Sequence, residues 1–218
     1  MLVDLKGSNL SNVSVSSSEV VIGSMTRHCD VASSSEVIRS LPALAKLAGG
    51  IGDHMVRSCG TIGGSLANND PAACYPSAAL ALGATIITNE RAIAAEDFFV
   101  GMFETALNEN EIITEVKFPT PEKASYIKFP NPASRYAMVG VFLAKKASGV
   151  AVAVTGAGEN GVFRCSEIEK VLNSSFNLES LDNVEISPDG LNSDIHASAS
   201  YRANLIKEMA KRALKEII

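Results

Sequence analysis

An α+β fold is predicted by three features of this sequence. Short extended segments divided by turns dominate residues 1–119, strands mixed with helices fill 122–218, and no internal repeat or low-complexity tract interrupts either part. At 218 residues the chain is long enough for one large domain or two small ones. Pro119-Thr120-Pro121 breaks the pattern between them, so the expected division is a first domain at 1–119 and a second at 122–218.

In chain order, residues 1–5 read as a strand, 7–11 as a turn, and 12–16 and 19–24 as two extended pieces of a small meander. Thr26 stands where it can cap a short helix reaching Ser33. Ser35 can cap a longer one, in which Val37, Ile38, Leu41, Leu44, Leu47 and Ala48 fall at helical spacing until Gly49 and Gly50 stop it. Pro76 and Ser77 open a compact helix that Gly83 ends, and the β-branched run at 84–88 is a buried strand. Residues 94–103 read as a short helix and loop bringing Phe98, Phe99, Met102 and Phe103 to a core, followed by a strand at 111–118.

Beyond the division, 124–129, 138–145 and 149–155 are strands, the last two joined by a tight turn at 147–149. The loop GAGENG at 156–161 is glycine-rich but lies between strands rather than at a helix start, so it reads as an ordinary turn. Ser166 and Glu169 have capping-box spacing for a helix to Leu172, and 173–194 is polar and turn-rich. From Ser198 to the end, Tyr201, Leu205, Met209, Ala213 and Ile217 recur along one helical face. Arg202, Lys207, Glu208, Lys211, Lys215 and Glu216 are expected outward.

Composition excludes several classes of function. With 46% hydrophobic and 20% charged residues, the chain is neither disordered nor fibrous. A net charge of −5 with scattered Lys and Arg argues against nucleic-acid binding. No apolar run is long enough for a membrane span and no basic-then-apolar leader opens the chain, so a cytoplasmic protein is expected. Cys29, Cys59, Cys74 and Cys165 are far apart and only His28, His54 and His196 accompany them, so free thiols, buried or half-buried, are expected rather than a metal centre. No Ser, Cys or carboxylate stands in an acid–base constellation, so no catalytic residue is assigned.

The stretch SCGTIGGSLANNDPAACYP at 58–76 carries the densest turn chemistry in the chain. A Gly63-Gly64 pair between hydroxyl residues reads as an ordinary loop or as a bend whose consecutive N–H groups converge on an anion. Spacing alone leaves both readings open.

Four stretches together resolve more: TIGGSLANNDPAACYP at 61–76, EIITEVKFP at 111–119, YIKFPNPASRYAMVGVF at 126–142 and GLNSDIHASASYRANLI at 190–206. They resemble the FAD-binding medium subunit of the molybdenum hydroxylases, especially carbon monoxide dehydrogenase medium chains and related aldehyde oxidoreductase subunits, over essentially the whole chain. The resemblance implies the second subdomain of a two-subdomain FAD-binding fold, followed by a C-terminal sheet-and-helix domain. It implies an oxidoreductase subunit that does not act on substrate by itself. Its FAD passes electrons from [2Fe–2S] clusters in a small subunit to an external acceptor, and a large subunit holds the molybdenum cofactor.

By the same resemblance, Thr61, Ile62, Gly63, Gly64 and Ser65 form the phosphate loop, with Asn68 and Asn69 as polar neighbours. Ile113 and Thr114 lie beside the flavin ring, Lys128 places positive charge that favours the anionic reduced form, and Tyr136 is either an aromatic contact to the ring or a core tyrosine. Cys74 stands where many relatives carry aspartate, and reads as a packed thiol. The family usually opens with a further subdomain bearing an AGGxSL loop, which this sequence does not contain. The expectation is a split gene, with a separate N-terminal FAD-binding polypeptide, or a truncated product, and a cradle only half made by this chain. A second reading is an assembly module that docks to the iron–sulfur subunit without holding flavin.

Overall fold

The computed structural model describes residues 3–218. Residues 1 and 2 of the expected first strand lie outside them, and residues 3–5 form no strand. The chain enters through β1 (Val13–Val15) and β2 (Glu19–Gly23), then α1 (His28–Ser33), α2 (Ser35–Ser40), α3 (Pro42–Gly49), α4 (His54–Cys59), α5 (Ile62–Asn68) and α6 (Tyr75–Leu82). Next come β3 (Thr85–Thr88), β4 (Ala92–Ala94), α7 (Ala95–Phe98), β5 (Phe99–Gly101), β6 (Glu104–Thr105) and β7 (Ile113–Pro119). The remainder is β8 (Lys123–Pro130), β9 (Ala137–Lys146), β10 (Gly149–Thr155), β11 (Phe163–Arg164), α8 (Ser166–Ser174) and α9 (Ala199–Lys215).

The fold is α+β, with antiparallel sheets ordered β1-β2-β7-β3-β4 and β11-β10-β9-β8 and a small β5-β6 hairpin. Side chains alternate across a strand, and β9 and β10 use both faces. Phe142, Ala144, Ala151 and Ala153 join one core with the first sheet and α3, α5 and α6. Val139, Val141, Leu143, Val152 and Val154 join a second core with α8 and α9. That double burial explains the unbroken apolar run of β9. Among the described residues no helix is long and apolar enough to cross a membrane.

Local signals misled where a tertiary partner took over. The single helix expected from Ser35 is two, because Pro42 lacks an N–H and excludes Leu41 from helical geometry. Ser34, not Ser35, caps the first of them, accepting from the Val37 N–H at 3.3 Å. Arg27, not Thr26, stands at the N-cap of α1. The capping box at Ser166 does not form. Cys165 is the N-cap, and Glu169 instead accepts the Val152 N–H at 2.8 Å and pairs with Arg164. Phe98 is buried, but Met102 and Phe103 are exposed at the tip of the β5-β6 hairpin. On α9 the expected faces are exchanged at two positions: Tyr201 is exposed and Arg202 is buried.

Arg202 is buried because it clamps three segments. Its Nη1 donates to the carbonyls of Met138 at 2.7 Å and Gly156 at 3.0 Å, and its Nη2 pairs with Asp194 at 2.7 Å. Gly156, with φ +82°, in turn donates its N–H to Pro71 O at 2.8 Å, and Thr155 Oγ1 donates to Pro71 O and Ala73 O at 2.9 and 2.6 Å. The C-terminal helix thus reaches, through the end of β10, the loop that follows α5.

Candidate functional site

A cavity of about 470 Å³ opens between α4, α5, the loop 70–74 and the connection from β8 to β9. Its size is within the usual range for small-molecule sites, roughly 300–1,000 Å³. Residues from three parts of the sequence line it: His28 from α1; Cys59, Gly60, Thr61, Gly64, Ser65, Asn68, Asp70 and Cys74; and Lys128, Ser134, Arg135 and Tyr136.

The glycine pair is not a bend. Thr61 is the N-cap of α5, and both glycines lie in its first turn. Every N–H there has a partner inside the protein. Ile62 N–H donates to Thr26 O at 3.1 Å, Gly63 N–H to Ser24 O at 2.8 Å, Gly64 N–H to Thr61 Oγ1 at 3.1 Å, and Ser65 N–H to Thr61 O at 3.0 Å. The expected backbone nest is therefore absent, and an anion here would be held by side chains. Gly63 is small for a different reason: a Cβ on it would stand 2.5 Å from Ser24 Cβ, so glycine lets α5 lie directly on the chain leaving β2.

Of the residues expected at the site, Thr61, Gly64, Ser65, Asn68, Lys128 and Tyr136 line the cavity, whereas Ile62, Gly63, Asn69, Ile113 and Thr114 do not. Ile62 and Ile113 are core residues. Asn69, left-handed at φ +43°, closes α5 and donates from Nδ2 to Gly101 O and Glu104 O at 2.8 and 2.9 Å, tying the helix to the β5-β6 hairpin. Thr114 accepts the Ser24 N–H at 2.9 Å and donates its hydroxyl to Ile87 O at 3.2 Å. Tyr136 is 53% exposed at the rim, which removes the core-tyrosine alternative.

Lys128 ties the far wall together. Its Nζ donates to Gly50 O at 2.6 Å and Arg135 O at 3.0 Å and lies 3.6 Å from Cys74 Sγ. Neither Lys128 nor Arg135 forms an ion pair among the described residues. Both residues line the cavity with no carboxylate of a described residue within 4 Å, although Asp53 senses the charge of Arg135 at longer range and Asp70 also lines the wall. The hydroxyls of Thr61 and Ser65 and the amide of Asn68 supply neutral donors. This donor set fits a phosphate-bearing, partly aromatic ligand such as FAD. Cys74 is packed, as expected, yet its sulfur reaches the cavity; Cys59 is exposed there. No cluster able to hold a metal ion exists among the described residues.

His28 and Arg135 carried no sequence signal. A lone histidine in a six-residue helix is brought to the cavity by the Arg27–Thr61 bridge, and Arg135 is aimed by a left-handed backbone, φ +63°. Burial, reinforced by the charge of Arg57, pushes the His28 pKa down from 6.5 to about 4. Between those values the unfolded chain binds a proton that the folded chain does not, so stability falls as pH drops through that window. The expected loss is about 2 kcal/mol by pH 5, read as a lower urea midpoint and absent in His28→Gln. The carboxyl of Glu111, held down to about 2 chiefly by Arg91, acts in a lower window and does not mask it.

Residues 1–121 match the family described as the FAD binding domain in molybdopterin dehydrogenase. The chain is 34% identical to the glyceraldehyde dehydrogenase medium chain of Sulfolobus acidocaldarius, over 95% of this chain and 79% of that one. It is 33% identical to the nicotine 6-hydroxylase medium subunit of Paenarthrobacter nicotinovorans, over 90% and 74%. The fold superposes on a chain of carbon monoxide dehydrogenase from Hydrogenophaga pseudoflava, in a form lacking the Mo-pyranopterin moiety, with a TM-score of 0.81 and 29% identity. The match covers 94% of this chain and 77% of that one.

Proposed function

The chain belongs to the family of FAD binding domains in molybdopterin dehydrogenases, and from that membership we propose that it is the flavin-holding, electron-transferring subunit of a molybdenum hydroxylase. The observation that carries this reading is the convergence on one cavity of Thr61, Gly64, Ser65 and Asn68 with Lys128 and Tyr136, residues far apart in sequence. We assign 1–119 to the FAD-binding part and 122–218 to the C-terminal part, with Lys128 and Tyr136 reaching back from the second to the first. Electrons come from [2Fe–2S] clusters in a small subunit and leave to an external acceptor, and a large subunit holding the molybdenum cofactor oxidises the substrate.

The chemistry supplied by bound FAD is the exchange of one or two electrons between centres. This chain's own residues bind and orient. Lys128 and Arg135 provide positive charge for the diphosphate or for the ring when reduced. Thr61, Ser65 and Asn68 offer neutral hydrogen bonds, and Tyr136 covers the rim with an aromatic face. Ile62, Gly63, Asn69, Ile113 and Thr114 act from behind, holding α5 and β7 in place.

Purification of the assembled complex with its iron–sulfur and molybdenum subunits tests the reading. Stoichiometric flavin that bleaches when substrate is added anaerobically is the expected result. A complex that assembles fully yet carries no flavin would assign the chain a docking role instead.

A further inference from the structure

The inner wall of the cavity holds a polar group that the protein leaves without a partner. His28 is only 5% exposed, its ring lines the cavity, and its Nδ1 is fully buried with no hydrogen bond. Nε2 makes none to any described residue either. Buried polar groups in folded proteins are nearly always paired, with protein, water or ligand.

The ring is also held in a made space. Its backbone N–H donates to Gly60 O at 2.9 Å, and Tyr75 packs on it at 5.3 Å between ring centroids. Gly60 has ordinary extended backbone, φ −68° and ψ 143°, which any residue adopts. What requires glycine there is room: a Cβ would stand 2.5 Å from Nε2. An orphaned imidazole packed in place beside a glycine that makes way for it is a built feature of the wall.

Resting on the FAD reading above, we propose that His28 is a binding residue of this cavity, its Nε2 hydrogen-bonding a neutral polar group of the flavin nucleotide, a hydroxyl or an amide, rather than a phosphate. The imidazole stays neutral above pH 4 to 5 because burial and Arg57 disfavour its charged form, so it can donate or accept one hydrogen bond but offers no charge to a phosphate. Lys128 and Arg135 serve that purpose on the same cavity. A bound hydroxyl or amide gives Nε2 the partner that no described residue supplies, while Nδ1 stays buried behind it.

The test is a titration of the full chain with FAD, followed by the ¹⁵N resonances of its histidine rings, a readout that also registers weak binding. His54 and His196, which do not line the cavity, are internal references. The expected result is a shift of the His28 Nε2 resonance that saturates with FAD, with the other two rings unmoved. His28→Phe should lower FAD affinity about five- to tenfold, while His28→Gln, whose amide nitrogen falls near the Nε2 position, should restore most of it. Saturable binding with a static His28 resonance, or folded His28→Phe binding as tightly as the natural chain, overturns the role of His28 and leaves the FAD reading standing. No saturable binding by the chain or by its flavin-depleted complex overturns both.

Discussion

Lys128→Met is expected to lower FAD affinity about thirtyfold, a loss of roughly 2 kcal/mol, the scale of a charge-assisted contact. Two effects add. The ammonium is the unpaired positive charge nearest Cys74, and its removal takes away attraction for a phosphate or a reduced ring. Its bonds to Gly50 O and Arg135 O also tie the end of α3 to the turn that carries Ser134, Arg135 and Tyr136. With the tether gone, Tyr136 and Arg135 are less well placed when ligand arrives. Salt separates the two contributions, because the electrostatic part is screened and the positional part is not. Titrations at low and high ionic strength should show a steeper salt dependence for the natural chain than for Lys128→Met, with Lys128→Arg between them. Equal affinity of Met and Lys forms at low salt would remove Lys128 from the site.

Arg202→Met should be the most destabilising substitution on α9. It leaves the carbonyls of Met138 and Gly156 without their donor and Asp194 without its counter-ion, in a place where the guanidinium is 4% exposed. Breaking a buried charged network from one side costs about 3–5 kcal/mol. For a chain of this length that is roughly a 10 °C fall in Tm, measurable by circular dichroism. Asp194→Asn should cost less, because Asp194 is 44% exposed and the two carbonyl contacts persist. The loss should also reach the cavity, since Gly156 and Thr155 hold the loop at Pro71 and Ala73. Flavin should dissociate from the variant faster than its stability at room temperature alone would suggest. A melting point within a degree or two of the natural chain would contradict the clamp.

Elements whose pattern repeats over many residues were legible in the sequence. The unbroken apolar run through 138–144 and the Val- and Ala-rich run through 150–154 specify two strands, and both form, each buried on both faces. Single-residue signals were weaker because they compete with partners distant in the chain. Glu169 has the spacing of a capping box but is taken by the Val152 N–H of a neighbouring strand. Gly63 reads as a turn residue, yet its smallness serves contact with Ser24, thirty-nine positions earlier. Arg202 sits among charged residues of an outward stripe and is turned inward by two carbonyls and an aspartate that only the fold brings together. At the site, Lys128 and Tyr136 came with the family resemblance. His28, Arg135 and the exposed thiol of Cys59 could be found only from the geometry.

Cys59 offers the most direct test of where the flavin sits. It is exposed and lines the cavity, while Cys29 is half-buried off the cavity and Cys165 is buried in the second core. The flavin-depleted complex would be alkylated with iodoacetamide with and without added FAD, and each cysteine followed by mass spectrometry. Saturating FAD should slow modification of Cys59 severalfold and leave the rate at Cys29 unchanged. An undiminished rate at Cys59, at FAD concentrations that fully restore the flavin spectrum, would place the cofactor elsewhere and contradict the assignment of this cavity.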